Sequence, residues 1–189
     1  MPPPESIYEA SARDGALRQG EILSGLIQRV VDIESLKEGT PRVDRIAHPL
    51  AIVVSQDCDL DWDFKARNNA ADTTKLMPSV LFSQVTDLET MKFRSEMKSD
   101  IFRRARKNLE LRYHVLSAAS PGVDSLGDGM PELGIDFKRY FTVPTDDVYR
   151  QFALGQEIGV QRRAVLRPPF REDLAQRFYF FQARVALPE

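Results

Sequence analysis

Residues 49–55 read PLAIVVS, an apolar run that ends in serine and lies between a histidine and an acidic segment. A short run of aliphatic and β-branched residues bounded by polar sequence is typical of a strand buried on both faces. Upstream, residues 21–33 have the same character and predict a long strand with a bend at Gly25. The charged residues 34–48 predict an exposed connection or a short hairpin. These two strands are the expected centre of the sheet.

The rest of the chain alternates irregularly between strand-like and helix-like segments. Strands are predicted at residues 76–85, 109–117, 133–143 and 157–166, and loops at 56–75 and 118–132. Helices are predicted over about 87–108, opened by a capping box that starts at Thr86, over 144–154, and over about 169–185. Because no regular strand–helix–strand rhythm appears, we expect an α+β fold, namely a small, mostly antiparallel β-barrel or half-barrel with a central and a C-terminal helix.

The length and composition indicate one domain. A chain of 189 residues that is 42% hydrophobic can bury one substantial core. We expect residues 1–18 to be a loose N-terminal segment and residues 19–189 to form a single barrel-like domain. The helix at about 87–108 is then an insertion in that domain, and the helix at about 169–185 closes it.

Charge and cysteine content exclude several classes of protein. The 26 basic and 28 acidic side chains give a net charge of −2, which excludes a surface covered throughout in phosphate-binding charge. The single cysteine excludes an internal disulfide framework and a multi-cysteine zinc site. No apolar run approaches the roughly 18 residues of a membrane span, and no signal-peptide pattern opens the chain. We therefore expect a cytoplasmic protein that does not enter a membrane.

The acidic segment after the buried strand is the first candidate site. Residues 55–63 read SQDCDLDWD, and in an extended chain their four aspartates project to one side. Such a row is tolerated when water surrounds it, when basic side chains face it, or when it binds a hard cation. Asp57 and Asp59 are the candidate metal ligands. If the segment holds a site, we expect Asp57 and Asp59 to point inward and meet arginines such as Arg167 or Arg171, and such charge pairing would make the motif structural.

Three further residues are candidates for catalysis. Cys58 is a candidate nucleophile, although its two aspartate neighbours disfavour the thiolate. His48 lies at one end of the buried strand and is a candidate acid–base group, and Ser55 lies at the other end. His48 and His114 are the two histidines, and neither belongs to a zinc-binding pattern. The sequence leaves open whether the protein is an enzyme, and we expect no cofactor.

The predicted central helix carries a local positive charge. Residues 92–107 contain seven basic and two acidic side chains, an excess of five positive charges in a slightly acidic chain. A solvated helix face and a phosphate-binding surface are both consistent with this pattern. The candidate nucleic-acid-binding residues are Arg103, Arg104, Arg106 and Lys107.

The predicted C-terminal helix has more aromatic residues than one buried stripe requires. Tyr179 and Phe180 lie off the stripe that Leu174 and Phe181 share. Exposed aromatic side chains are enriched at protein interfaces. Both are therefore candidate interface residues for a protein partner or a homodimer.

Two stretches resemble known groups of proteins. Residues 19–23, QGEIL, and 48–55, HPLAIVVS, resemble the opening of the MazF and PemK toxins. That resemblance implies a Src-homology-3-like barrel that binds or cleaves single-stranded RNA, with His48 in place of the family's arginine and Ser55 at the family's hydroxyl position. The Ser-Gln-x-Cys-Asp motif at 55–59 and residues 169–178 resemble a group of small bacterial proteins with no established activity.

These observations favour one function and leave two alternatives. We expect a non-catalytic interaction or accessory domain of a bacterial system that binds a protein partner. The first alternative is a toxin-like RNA-binding protein or endoribonuclease. The second is a metal or thiol site within residues 57–63.

Overall fold

The fold is an open antiparallel sheet with helices on both faces. The computed structural model describes residues 6–69 and 72–184. Within them the strands are β1 (Tyr8–Ala10), β2 (Glu21–Asp32), β3 (Arg42–Val53), β4 (Ser79–Asp87), β5 (Tyr113–Leu116), β6 (Leu133–Pro144) and β7 (Gln161–Leu166). They form one sheet in the order β1-β7-β2-β3-β4-β6-β5, in which every neighbouring pair is antiparallel. The sheet does not close into a barrel. The chain thus has the expected α+β class, in its half-barrel form.

The helices cover the two faces of the sheet. They are α1 (Asp57–Asn69), α2 (Leu88–Lys92), α3 (Ser99–Ala105), α4 (Thr145–Ala153), α5 (Gly155–Ile158) and α6 (Phe170–Ala183), with 3-10 turns at Ile33–Glu38 and Thr73–Lys75. Ile52 of β3 belongs to a buried cluster with Leu174 and Phe181 of α6. Val53, the next residue, belongs to a second cluster with Leu60 of α1. The prediction of a strand buried on both faces is therefore confirmed.

The expected loop at 56–75 is wrong, because most of it is helix α1. Its acidic first turn suits a helix N-terminus, where carboxylates interact favourably with the free amides. Asp63 is fully buried and accepts hydrogen bonds from Arg67 Nε (2.7 Å) and from Met77 N (2.7 Å). The helix is therefore held to the start of β4 by a polar contact, and the four aspartates do not form a row.

The expected long central helix is also wrong, since two short helices, α2 and α3, replace it. Asp87, and not Thr86, caps α2 by accepting a hydrogen bond from Thr90 N. The turn between the helices exposes Phe93 to 83%, although the spacing places it on the buried stripe. Met97 and Ala105 of that stripe are buried. The insertion consequently packs as two separate helical segments.

The expected loose N-terminal segment is ordered in its described part. Tyr8–Ala10 form β1, which pairs with β7, and the Tyr8 hydroxyl donates to Ser117 O at 2.8 Å. Tyr8 and Leu17 are fully buried. Burial raises the pKa of Tyr8. Residues 1–5 of that segment, and 185 at the end of the predicted last helix, lie outside the described residues.

Strands β2 and β3 continue as a two-stranded ribbon beyond the rest of the sheet. β2 pairs with β7 only from Glu21 to Ser24, and β3 pairs with β4 only from Ala51 to Val53. Between these stretches and the 3-10 turn the two strands pair with each other, up to Asp32 opposite Arg42. We call residues 26–48 the arm. The expected short hairpin is thus a longer one.

Gly25 marks the place where the arm leaves the sheet. Its φ of 72° lies in the left-handed region that favours glycine. A Cβ at this position would lie 2.5 Å from Gly159 O, closer than atoms can approach. The bend expected at Gly25 is therefore a requirement of both backbone conformation and space.

A buried ion pair fixes the start of β2, from which the arm extends. We call this end of the arm its root. Arg162 of β7 donates to Glu21 of β2 through Nε (2.6 Å) and NH2 (2.9 Å), and both side chains are almost completely buried. Arg162 also donates to Gly15 O (2.7 Å) and Ala16 O (2.8 Å), and Glu21 accepts from Arg18 N at 3.0 Å. One pair of side chains thus joins two strands and the N-terminal segment.

Replacing Glu21 with Gln should destabilise the fold strongly. The change keeps the shape but leaves the Arg162 charge buried without its counter-charge, which costs about 3–5 kcal/mol. Chemical denaturation measures the free energy of unfolding. Glu132→Gln is the matched control, because it removes only the exposed pair with Arg106 and should cost less than about 1 kcal/mol. Equal, small losses in both variants would contradict the role given to Glu21.

Candidate functional site

His48 lies inside the fold with both ring nitrogens engaged. Its ring stacks on Phe141 with the centroids 3.6 Å apart. Nε2 donates to Gln28 Oε1 at 3.2 Å, and Nδ1 accepts from Gln84 Nε2 at 3.5 Å. Burial lowers the pKa of His48, so the imidazole is neutral at neutral pH. These contacts make His48 a structural hydrogen-bonding residue between β2 and β4.

Ser55 is also engaged, and it lies far from His48. Its Oγ accepts a hydrogen bond from Leu81 N at 2.8 Å, which fixes the end of β3 against β4. Ser55 is seven positions after His48, about 23 Å along an extended chain. The structure does not bring the acid–base candidate and the hydroxyl candidate together.

A cleft of about 370 Å³ lies beside His48. Its lining residues are Ala47, His48, Pro49, Leu50, Gln84, Val85, Thr86, Asp87 and Thr90. Sequence reasoning did not select Gln84 or the polar end of β4, since they become neighbours of His48 only through the pairing of β3 with β4. The cleft has a mostly apolar wall and a few polar groups at one end.

His114, like His48, is a buried histidine. It is 3% exposed, its ring stacks on Phe137, and its Nδ1 has no hydrogen-bond partner among the described residues. Burial, and secondarily the charge of Arg177, lower the pKa of His114 to about 3. It is a neutral core residue of β5.

Asp57 is paired with basic side chains on two sides. It accepts from Arg18 Nε at 3.0 Å, from Gln19 N at 2.9 Å and from Arg171 NH1 at 2.9 Å. The expected pairing with Arg171 is therefore present for Asp57. Asp59 is partly exposed, and residues 6–69 and 72–184 contain no group of three or more acidic, histidine or cysteine residues placed to hold a metal ion. Asp57 joins α1, α6 and the N-terminal segment.

Cys58 lies at the exposed start of α1. Its Sγ is 3.8 Å from Gln56 Oε1 and 3.7 Å from Asp59 Oδ1. Neither contact is a basic side chain. In the part of the chain that the structure describes, the thiol therefore has no histidine, lysine or arginine as a hydrogen-bond partner.

The basic candidates of α3 and of the turn that follows it are exposed, and half of them have an acidic partner. Arg104 pairs with Glu110 at 2.8 Å and Arg106 with Glu132 at 3.1 Å. Arg103 and Lys107 are exposed, and no ion pair is found for them among the described residues. Their charges face water.

A second basic group was not selected from the sequence. Asp136 of β6 is completely buried, and Arg112 (2.7 Å), Arg139 (3.3 Å) and Arg94 (3.7 Å) surround it. These residues come from three segments of the chain, so no local pattern could reveal them. Their mutual repulsion is reduced by the buried carboxylate, which makes the cluster a structural cross-link of β5, β6 and the turn after α2.

The aromatic candidates of α6 are exposed. Tyr179 is 66% and Phe180 52% exposed, and their ring centroids are 5.9 Å apart. Leu174 and Phe181 of the same helix are buried. Tyr179 and Phe180 thus lie off the buried stripe, as helical spacing predicts.

The largest concentration of exposed apolar side chains is on the arm and its connecting turn. Six large apolar residues within 17 positions are at least 40% exposed: Val30, Val31, Ile33, Leu36, Val43 and Ile46. The aliphatic residues of 21–33 predict a buried strand, so the sequence did not indicate the exposure of Val30, Val31 and Ile33. Among the described strands, only β2 and β3 pair with each other along this part of the arm. The arm is the candidate interaction surface.

Comparison of the chain with protein-family models, with curated proteins and with solved structures found no match. The resemblance of residues 19–23 and 48–55 to the MazF and PemK toxins therefore stays a prediction. Of the helices in the described residues, none has the length and apolar character needed to cross a membrane.

The two neighbouring residues of α1 should respond differently to substitution. Asp57→Asn removes the charge that faces Arg18 and Arg171 and should lower the free energy of unfolding by about 1–3 kcal/mol. Cys58→Ser should change it by less than about 0.5 kcal/mol, because the side chain is exposed. Urea denaturation measures both. Equal stability of Asp57→Asn and the wild type would show that the aspartate is only solvated.

Proposed function

We propose that this chain is a protein-interaction domain that binds its partner through the arm. The observation that carries the proposal is the set of six exposed apolar side chains on the arm and its turn. Exposed apolar groups concentrated in one place mark interaction sites on soluble proteins. Each side chain removed from water contributes about 25 cal/mol per Å² of apolar surface to association.

The geometry of the arm supports this role. Its main chain is held by paired strands up to Asp32 and Arg42, and its root is fixed by Gly25 and by the Glu21–Arg162 pair. A preformed element loses less conformational entropy on binding than a flexible loop does. The arm can therefore present its side chains in one arrangement.

The catalytic candidates support a role in binding rather than in chemistry. Nucleophilic catalysis needs a nucleophile within hydrogen-bond reach of a base. His48 is held between two glutamines, Ser55 accepts from Leu81 N, and the Cys58 thiol contacts Gln56 and Asp59. The described residues thus offer no nucleophile–base pair among these candidates.

A second candidate function is the binding of single-stranded RNA, and the exposed charges of α3 and of the turn that follows it favour it. Arg103 and Lys107 face water and belong to a stretch with an excess of five positive charges. Phosphate contacts require charges of this kind that are not already neutralised.

Lysine substitutions on the arm should abolish binding of the partner. The double variant Val31→Lys/Val43→Lys places two charges on one face of the arm, where burial against a partner would require their desolvation. The tagged chain is used for affinity capture from a nuclease-treated extract of its own source cells, and the bound proteins are identified by mass spectrometry. We expect a protein captured by the wild type to be lost from the variant.

The control for this experiment is Leu126→Lys, which changes an apolar residue that is 46% exposed outside the arm. It should capture the same protein as the wild type. Identical capture by the wild type and the arm variant would contradict the proposal.

The RNA candidate is tested by binding of mixed single-stranded RNAs at low and raised salt. Arg103→Glu/Lys107→Glu should weaken salt-dependent binding, because it reverses two charges that no acidic side chain neutralises in the described structure. The control Lys65→Glu/Lys75→Glu makes the same charge change elsewhere and should bind as the wild type does. Absence of binding by the wild type removes this candidate.

A further inference from the structure

We infer that the partner of the arm is the arm of a second copy of this chain, paired edge to edge along β3 about a two-fold axis at Val43. The inference rests on the proposed function, since it uses the same surface. It adds the identity of the partner and the register of the contact. The open edge of the arm and the charges along that edge determine how a second copy can pair with it.

The β2 edge of the arm is occupied close to its root. Gln151 of α4 accepts from Ile27 N at 2.8 Å and donates to Ile27 O at 2.9 Å, as a neighbouring strand would. Arg29, two residues further along β2, forms an ion pair with Asp147 of the same helix. Helix α4 thus obstructs the approach of another strand from this side.

The β3 edge is open. Ile27 lies opposite Ala47, and because the main-chain groups of Ile27 point away from β3, those of Ala47 point away from β2. Main-chain orientation alternates along a strand, so the N–H and C=O groups of Arg45 and Val43 also point away from β2. In the described residues no strand pairs with β3 before Ala51, and Pro49, which has no N–H, ends the usable edge on the side of the sheet.

Charge favours one register among the two-fold pairings centred on Val43, Asp44 and Arg45. An axis at Arg45 places Arg45 opposite Arg45 of the second copy, and an axis at Asp44 places Asp44 opposite itself. Like charges directly opposite destabilise antiparallel strands. An axis at Val43 instead places Arg42 opposite Asp44 in both directions. This register therefore has two favourable charge pairs, and the other two each oppose like charges.

The same register joins the exposed valines. Val31 lies opposite Val43 within one arm, on the same face of the ribbon. With Val43 opposite Val43 of the second copy, four valines form one continuous row across four strands. On the other face Arg42, which already pairs with Asp32 at 3.0 Å, would lie between that carboxylate and Asp44 of the second copy. Apolar and charged residues on both faces thus fit one arrangement.

The test is the oligomeric state of the full chain, measured by sedimentation velocity over a range of concentrations. The wild type should show a concentration-dependent dimer. Asp44→Arg and Arg42→Asp should each weaken it by at least about tenfold, since two attractive pairs become repulsive. An equal mixture of the two variants should recover the dimer, because each introduced charge then faces an opposite one. Lys37→Glu on the exposed turn is the control and should dimerise as the wild type does.

The outcomes separate this inference from the proposed function. A wild type that stays monomeric, charge variants that dimerise like the wild type, or a mixture that fails to dimerise would each overturn the inference. Asp44→Arg breaks no ion pair in the described structure, so its effect on dimerisation is not caused by a weakened arm. A monomeric chain whose arm still captures another protein would overturn the second copy as partner and leave the proposed function intact.

Discussion

The ion pair between Glu21 and Arg162 is the contact on which the remaining structure depends. It lies where β2 and β7 pair, immediately before the irregularity in register between Ile22 and Leu23. Because the pair is buried, its hydrogen bonds must be nearly complete, and main-chain groups of the N-terminal segment complete them. The polar contact therefore fixes three segments that apolar packing alone would leave less well defined.

The arm follows from that anchored root. β2 begins in the three-stranded centre of the sheet, passes Gly25, and continues with β3 as its only partner among the described strands. A pair of strands that extends beyond its sheet leaves apolar side chains and unpaired main-chain groups in water. Natural proteins normally avoid such exposed edges. Here helix α4 protects the β2 edge through Gln151, and the β3 edge is left open. This asymmetry supports the proposed pairing along the β3 edge.

The sequence predicts the parts of the fold that local patterns control. The run at 49–55, the bend at Gly25 and the exposure of Tyr179 and Phe180 all follow from spacing and residue type. Helix α1 could not be predicted in this way, because its buried side chains, Leu60, Asp63 and Ala66, do not form a purely apolar stripe. The exposure of the arm depends on which strands are neighbours in the sheet, and this strand order is a property of the whole chain. The sequence therefore did not indicate the arm as a candidate site.

Amide hydrogen exchange, resolved by residue and measured at low and high protein concentration, tests the central claim most directly. Val30 and Asp44 face each other inside the arm, and their amides should be protected at both concentrations. Val43 and Arg45 point to the open edge, and their amides should exchange fast in dilute solution and become protected as the concentration rises. Fast exchange at Val43 and Arg45 at every concentration would contradict the account, as would an arm without protection at Val30 and Asp44.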